Sequence, residues 1–150
     1  MSDANPPTLP DPAAELARQG KSAELSTLLQ QGLGVDLQDA KGNTLLMLAS
    51  YHGHAATVAM LLKAGATVDR RNAKGQTPLG GVAFKGYADI ATLLLDAGAD
   101  PLADQGGSTP VDYATMFGRQ EILTLLRERR GAAAQPTRWF SKLIGWIRNR

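Results

Sequence analysis

Histidine is the side chain best suited to proton transfer near neutral pH and to metal binding, and this chain has two, His52 and His54. Two positions apart on a helix, they would point about 200° from each other, too divergent to share a metal ion or relay a proton. Ser50 beside His52 fails as a nucleophile and base pair on the same geometry. His54 is read as structural and His52 as a surface side chain. The absence of cysteine removes thiolate metal sites, thiol nucleophiles and disulfides together, and leaves the redox compartment open. Gly32 and Gly34 begin a dinucleotide-type glycine pattern, but Leu37 fills the third glycine's place. Neither a G-x-x-x-x-G-K-[ST] phosphate loop nor a G-x-S-x-G nucleophile elbow occurs. The expectation is a protein that is not an enzyme, with no catalytic residue, no metal site and no cofactor.

A second constellation lies at residues 138–150, RWFSKLIGWIRNR, which hold both tryptophans of the chain. At 100° per residue Trp139, Phe140, Leu143, Ile144, Trp146 and Ile147 fall on an arc of about 160°, opposite Ser141, Lys142, Gly145 and Arg148. The pattern is that of a basic amphipathic helix of about 20 Å, too short to span the roughly 30 Å of a bilayer core but suited to an anionic membrane surface. Packing back on the preceding structure and docking into a partner's groove are the alternatives. Residues 132–150 hold four of the 16 Lys and Arg and no acid, whereas residues 1–131 set 12 cations against 14 Asp and Glu, a balance of −2. A body so close to neutrality argues against nucleic-acid binding.

The elements that position these side chains follow from a repeat. Gly20, Gly53 and Gly86 are 33 residues apart, as are Gly32, Gly65 and Gly98. AKGNTLLMLASYHGHAATVAMLLKAGATVDRRN from Ala40 is followed by AKGQTPLGGVAFKGYADIATLLLDAGADPLADQ from Ala73. A third copy starts at Gly106 with the spacing cut to 32 between Thr77 and Thr109, one residue having been lost from the loop before it. In each copy a Thr stands where its hydroxyl can cap a helix, and Pro78 and Pro110 follow at the first helical position, where a missing N–H costs nothing. Gly53, Gly86 or Gly118 ends that helix, and a second apolar-periodic segment such as Val58, Leu61 and Leu62 follows. Two short antiparallel helices cannot bury both faces alone, so the units must stack on one continuous core. The expected fold is all-α, a solenoid of helix-turn-helix units.

These residues resemble the ankyrin-repeat family, whose repeat reads D-x-x-G-x-T-P-L-H-x-A-A-x-x-G-H and then V-x-x-L-L-x-x-G-A. Residues 39–71 match through Asp39, Gly42, Thr44, Ala49, Gly53, His54, Val58, Leu61, Leu62, Gly65 and Ala66. Residues 72–104 match through Gly75, Thr77, Pro78, Leu79, Gly86, Leu94, Leu95, Gly98 and Ala99. Residues 105–130 are similar to a degenerate final repeat, and residues 13–38 to an N-terminal cap lacking the Thr-Pro turn, so that 13–130 forms the repeat domain. Residues 1–12, with four prolines, are expected to be disordered, 131–137 to be a linker and 138–150 the amphipathic helix.

The sequence departs from the family pattern in three ways. The histidine of T-P-L-H is replaced by Met47, Gly80 and Asp112, which implies that its hydrogen bonds are missing. Leu45 stands for Pro in the first copy, and the adjacent Gly80 and Gly81 should weaken their helix by about 1 kcal/mol each.

The resemblance implies an adaptor that binds a protein partner through its loop tips and the exposed face of each first helix. Carried over, these positions are Ala40, Lys41, Asn43, Tyr51 and His52, then Ala73, Lys74, Gln76, Phe84 and Lys85, then Gln105, Ser108, Met116 and Phe117. Tyr51, Phe84 and Phe117 should align one repeat apart as contact rings, unless they pack between repeats. Lys41, Arg70, Arg71, Lys74 and Lys85 gather on the same side, opposed by Asp39 and Asp69, so an acidic or amphipathic peptide would fit, the alternative being a solvated face. A monomer in the cytoplasm, peripheral to a membrane if the tail binds one, completes the expectation: no apolar run approaches 20 residues and no secretory signal opens the chain.

Overall fold

The computed structural model describes the backbone of residues 7–133 and the side chains of residues 7–129. Among them are eight α-helices in four antiparallel pairs: α1 (Asp11–Gln19) with α2 (Ser22–Gln30), α3 (Leu45–Tyr51) with α4 (Ala55–Lys63), α5 (Pro78–Lys85) with α6 (Ala88–Asp96), and α7 (Pro110–Met116) with α8 (Gln120–Ala133). The first helices of the pairs stack as one layer, α1 on α3 on α5 on α7, and the second helices as another. The fold is the all-α solenoid that the repeat implies.

Each repeat begins with a threonine cap. The hydroxyls of Thr44, Thr77 and Thr109 accept the amides of Met47 at 3.2 Å, Gly80 at 3.3 Å and Asp112 at 3.2 Å. Asp112 returns a carboxylate oxygen to the amide of Thr109 at 2.8 Å, so the residue that replaces the family's histidine in the last copy completes a capping box. Leu45, Leu79, Leu25, Leu61, Ile90, Leu94, Ile122 and Leu126 are fully buried in one core that runs through all four pairs. Each such leucine contributes about 1.5–3 kcal/mol by leaving water.

The turn inside each pair is built by two residues acting across repeats. Gly86 ends α5 at φ +86°, and Arg119 of the next pair lies against it, donating from Nε and Nη2 to the carbonyl of Phe84 at 3.2 Å each. One pair earlier Tyr87 covers Gly53, and at the N-terminal end His54 covers Gly20 while its Nε2 meets the carbonyl of Arg18 at 2.6 Å. His54 is a link between repeats; a Cβ on Gly20 or Gly86 would strike the side chain above it, and one on Gly53 would press on the Tyr87 ring.

Two boundaries differ from the sequence reading. Residues 7–12 are ordered as part of the body: Leu9 is 3% exposed, its amide donates to the carbonyl of Gln38 at 3.0 Å, and α1 already starts at Asp11. Pro10 and Pro12 help to start this helix, one in extended backbone before it and one in its first turn, where no amide is needed. At the other end α8 continues to Ala133, beyond the expected linker start at residue 131, because Gly131 sits inside a helix that Asp96 helps to hold through an ion pair with Arg129. Residues 1–6 and 134–150 lie outside the described residues, and with them the rest of the linker and the amphipathic segment 138–150.

Candidate functional site

The first-helix layer and the loop tips enclose a groove of about 880 Å³. Its floor is α3 and α5, with Met47, Leu48, Gly80 and Gly81 facing it. One wall is the tips before α3 and α5, carrying Lys41, Asn43, Lys74 and Gln76, and the other is the helix ends that carry Tyr51, His52 and Phe84. These seven expected positions, together with Ala40, Ala73 and Gln105, come together in one concavity. Lys85, Met116, Phe117 and Ser108 do not line it.

The tips are stiff for a local reason. Asp39 Oδ1 accepts the amides of Lys41 and Asn43 at 2.9 Å each, closing the loop on itself, and Asn72 Oδ1 accepts those of Lys74 and Gln76 at 3.0 Å each. The amide of Ala73 donates to the carbonyl of Lys41 at 2.9 Å, which fastens the tip before α3 to the tip before α5. Beneath them Gln38 Nε2 donates to the carbonyls of Gly42 and Arg71, and Arg71, its counterpart 33 residues on, donates to those of Gly75 and Asp104. Arg71 is thereby committed to the frame, and Arg70 donates to Gln38 Oε1 at 3.3 Å. None of the five cations expected on this side has an ion pair among the described residues, and Lys41, Lys74 and Lys85 are not held by side-chain hydrogen bonds as the two arginines are.

The ring row is out of register with the sequence reading. Because the third copy is one residue short, Phe117 is the residue after α7, the place that His52 holds after α3, and Met116 is the counterpart of Tyr51 and Phe84. The contacts repeat accordingly. Lys85 Nζ sits 4.8 Å from the Tyr51 ring centroid, and in the next repeat Phe117 meets Phe84 edge-on at 4.7 Å. Met116, which no described residue of a further pair covers, is 71% exposed. Phe84 and Phe117 therefore pack partly against each other between repeats, while Tyr51 keeps a face toward the groove.

His52 is held below its ordinary pKa by partial desolvation and then by the positive neighbours His54, Arg18 and Lys85, with Glu15 acting weakly the other way. His52 follows α3 and His54 precedes α4, so the two lie in one turn and not on one helix. Among the described residues no group of three His, Cys, Asp or Glu side chains is placed to hold a metal ion.

Two lining residues escape sequence reasoning, Arg18 and Asp11, and a third, Gln105, is expected as an exposed tip position but is buried. Arg18, at the N-terminal rim, comes from the cap pair, where the missing Thr-Pro turn hides the correspondence with Tyr51; its Nη2 lies 3.9 Å from Asp39. Asp11 lines the same rim from a segment expected to be disordered. Gln105 reaches back into the preceding repeat: its Oε1 accepts the Thr77 amide at 2.6 Å, and its Nε2 donates to Thr77 Oγ1 and the Ala103 carbonyl at 2.9 Å each. The hydrogen bonds expected to vanish with the family's histidine at Gly80 are replaced by these.

The sequence matches a family model for ankyrin repeats over residues 13–105 and 69–137. An ankyrin repeat protein of Pseudomonas aeruginosa is 65% identical over 40 residues, which cover 27% of this chain and 23% of that protein. The crystal structure of the human ASB11 ankyrin repeat domain is similar with a TM-score of 0.73 at 31% identity, over 79% of this chain and 54% of that one. The chain thus matches under a quarter of the bacterial relative's length and about half of the human domain's.

Proposed function

Because the chain belongs to the ankyrin-repeat family, whose members are generally protein–protein interaction modules, we propose that it is a non-catalytic adaptor whose concave groove captures a segment of a partner protein. The observation that carries this reading is the groove itself: an open concavity whose walls are hydrogen-bonded tips on one side and helix ends on the other, lined by Tyr51 and by Lys41 and Lys74, which have no ion pair among the described residues. A surface with its own hydrogen bonds satisfied and its aromatic side chain exposed loses little entropy on binding. Rigid rings with a polar rim are what interface hot spots are made of.

The test is capture of partners from cell lysate with the full chain and with a variant carrying alanine at Tyr51, Phe84 and Phe117. Retained helical circular dichroism with lost capture is the expected result. Undiminished capture by a folded variant would remove the groove from the reading, and collapse of the helical signal would assign the rings to the core.

A second reading attaches to residues 138–150, outside the described residues, whose sequence pattern supports attachment to an anionic membrane surface. Among the described residues no helix is long and apolar enough to cross a membrane. Sedimentation of the full chain with anionic liposomes, lost when residues 132–150 are deleted, would favour this reading, and failure of the full chain to sediment would sink it.

A further inference from the structure

We propose that the occupant of the groove is an acidic, extended segment of a partner protein, with two carboxylates three residues apart that meet Lys41 and Lys74. This inference rests on the groove being the partner-binding surface, and it follows from which groups around it are already spent. Asp39 is spent on the frame: its Oδ1 accepts two loop amides, and Arg18 Nη2, 3.9 Å from its Oδ2, offsets its charge. The side-chain amides of Asn72 and Gln105 are fully engaged with neighbouring repeat atoms. What remains is charge of one sign: Lys41 and Lys74 on the tips and Lys85 above the Tyr51 ring have no ion pair among the described residues. The only lining carboxylate outside an ion pair, Asp11, stands in the first turn of α1, where the helix dipole favours a negative charge.

Spacing sets the register. Lys41 and Lys74 occupy the same position in successive repeats, and the amide of Ala73 ties the tip of one to the tip of the other. Stacked helices lie about 8–10 Å apart, and a chain in the extended polyproline II conformation advances about 3.1 Å per residue and brings every third side chain to the same side, so three residues of ligand match one repeat. A segment running along the solenoid places one carboxylate at each lysine and an intervening side chain toward Tyr51 and the groove floor.

The experiment is selection of a phage-displayed random linear peptide library on the full chain, with the selected sequences resynthesised and titrated by fluorescence polarisation. The expected result is enrichment of Asp and Glu at i and i+3. Affinity should fall by about tenfold or more when NaCl rises from about 50 to about 500 mM, and by a similar factor in Lys41→Glu/Lys74→Glu. Both lysines are exposed, and circular dichroism checks that the variant keeps its helices. Neutral or basic peptides that are lost on Tyr51→Ala/Phe84→Ala would overturn the acidic occupant and leave the groove standing. Acidic peptides with another spacing would overturn the register. Peptides indifferent to Tyr51 and Phe84, or no selected peptide at all, would overturn the groove with it.

Discussion

The amide of Gln105 fills the space that a Cβ on Gly80 would need, although the two belong to successive repeats. The last loop lost a residue, and where Asp39 and Asn72 close their own tips, the longer Gln105 turns inward and takes the Thr77 amide instead. Helix propensity alone predicts that Gly80→Ala stabilises α5 by about 1 kcal/mol. The expected outcome is the reverse, since the new methyl displaces an amide that satisfies buried groups worth about 1–3 kcal/mol. Gln105→Ala should lose a similar amount, and the double variant less than the two together, with a coupling of about 1 kcal/mol or more in urea denaturation. A stabilised Gly80→Ala would show that the contact carries no weight.

Asp69 exposes a defect that the preceding repeat lacks. There, Asp36 accepts both the amide of Thr67 at 2.9 Å and its hydroxyl at 2.5 Å. One repeat on, Asp69 accepts only the amide of Asp100 at 3.0 Å, and its Oδ1 is buried without a partner. Burial therefore pushes the Asp69 carboxyl above the ordinary aspartate range, with the like charge of Asp100 adding to it. A raised folded pKa means that this group's favourable share of stability is present in acid and lost as pH rises through that value. Asp100→Thr restores the hydroxyl and removes the like charge, and should stabilise the protein by about 1 kcal/mol at pH 7, with a smaller gain near pH 3. Equal melting temperatures of parent and variant at pH 7 would refute the account.

His52 has the opposite sign. Its folded pKa lies below the ordinary histidine value, so its contribution is complete above that value and is lost as pH falls from about 6.5 through the folded pKa. Desolvation leads the shift and the cations Arg18 and Lys85 add to it. Proton NMR of the His52 ring should give a midpoint below the free-histidine value that moves upward in Lys85→Gln. An unmoved midpoint would show that Lys85 contributes nothing to the field at the groove.

The parts of this fold that were legible in sequence are those in which a residue acts on its own turn. Thr44, Thr77 and Thr109 cap helices three residues away, so their spacing announces them. The groove's tip residues Lys41, Asn43, Lys74 and Gln76 came from the resemblance to the ankyrin-repeat family, carried over position by position. What stayed hidden depends on contacts between repeats or on a broken period. Arg18 replaces an aromatic position with a cation, Gln105 works on a glycine 25 residues away, and a single deletion moved Phe117 out of the row in which a fixed 33-residue step places it. Leu9 was concealed by the prolines around it, whose composition suits a flexible segment as well as a helix start.

Leu9 is where the solenoid's N-terminal end is closed. Among the described residues no helix stacks on the outer side of α1, whose buried face is made of Ala13, Ala14 and Ala17, too small to shield the end of the core alone. Leu9 covers that end and its amide is fixed to Gln38 at 3.0 Å. Leu9→Ala should cost about 2–3 kcal/mol, while Leu9→Met, of nearly equal volume, should cost less than about 1.5 kcal/mol. In a stack whose units touch only their neighbours, the loss should appear first in α1 and α2 and leave α7 and α8 protected. Hydrogen exchange read helix by helix checks this: faster exchange confined to the first pair is expected. Uniform acceleration would mean that the four pairs unfold as one unit, and unchanged exchange in α1 would return residues 7–12 to the status of a passive leader.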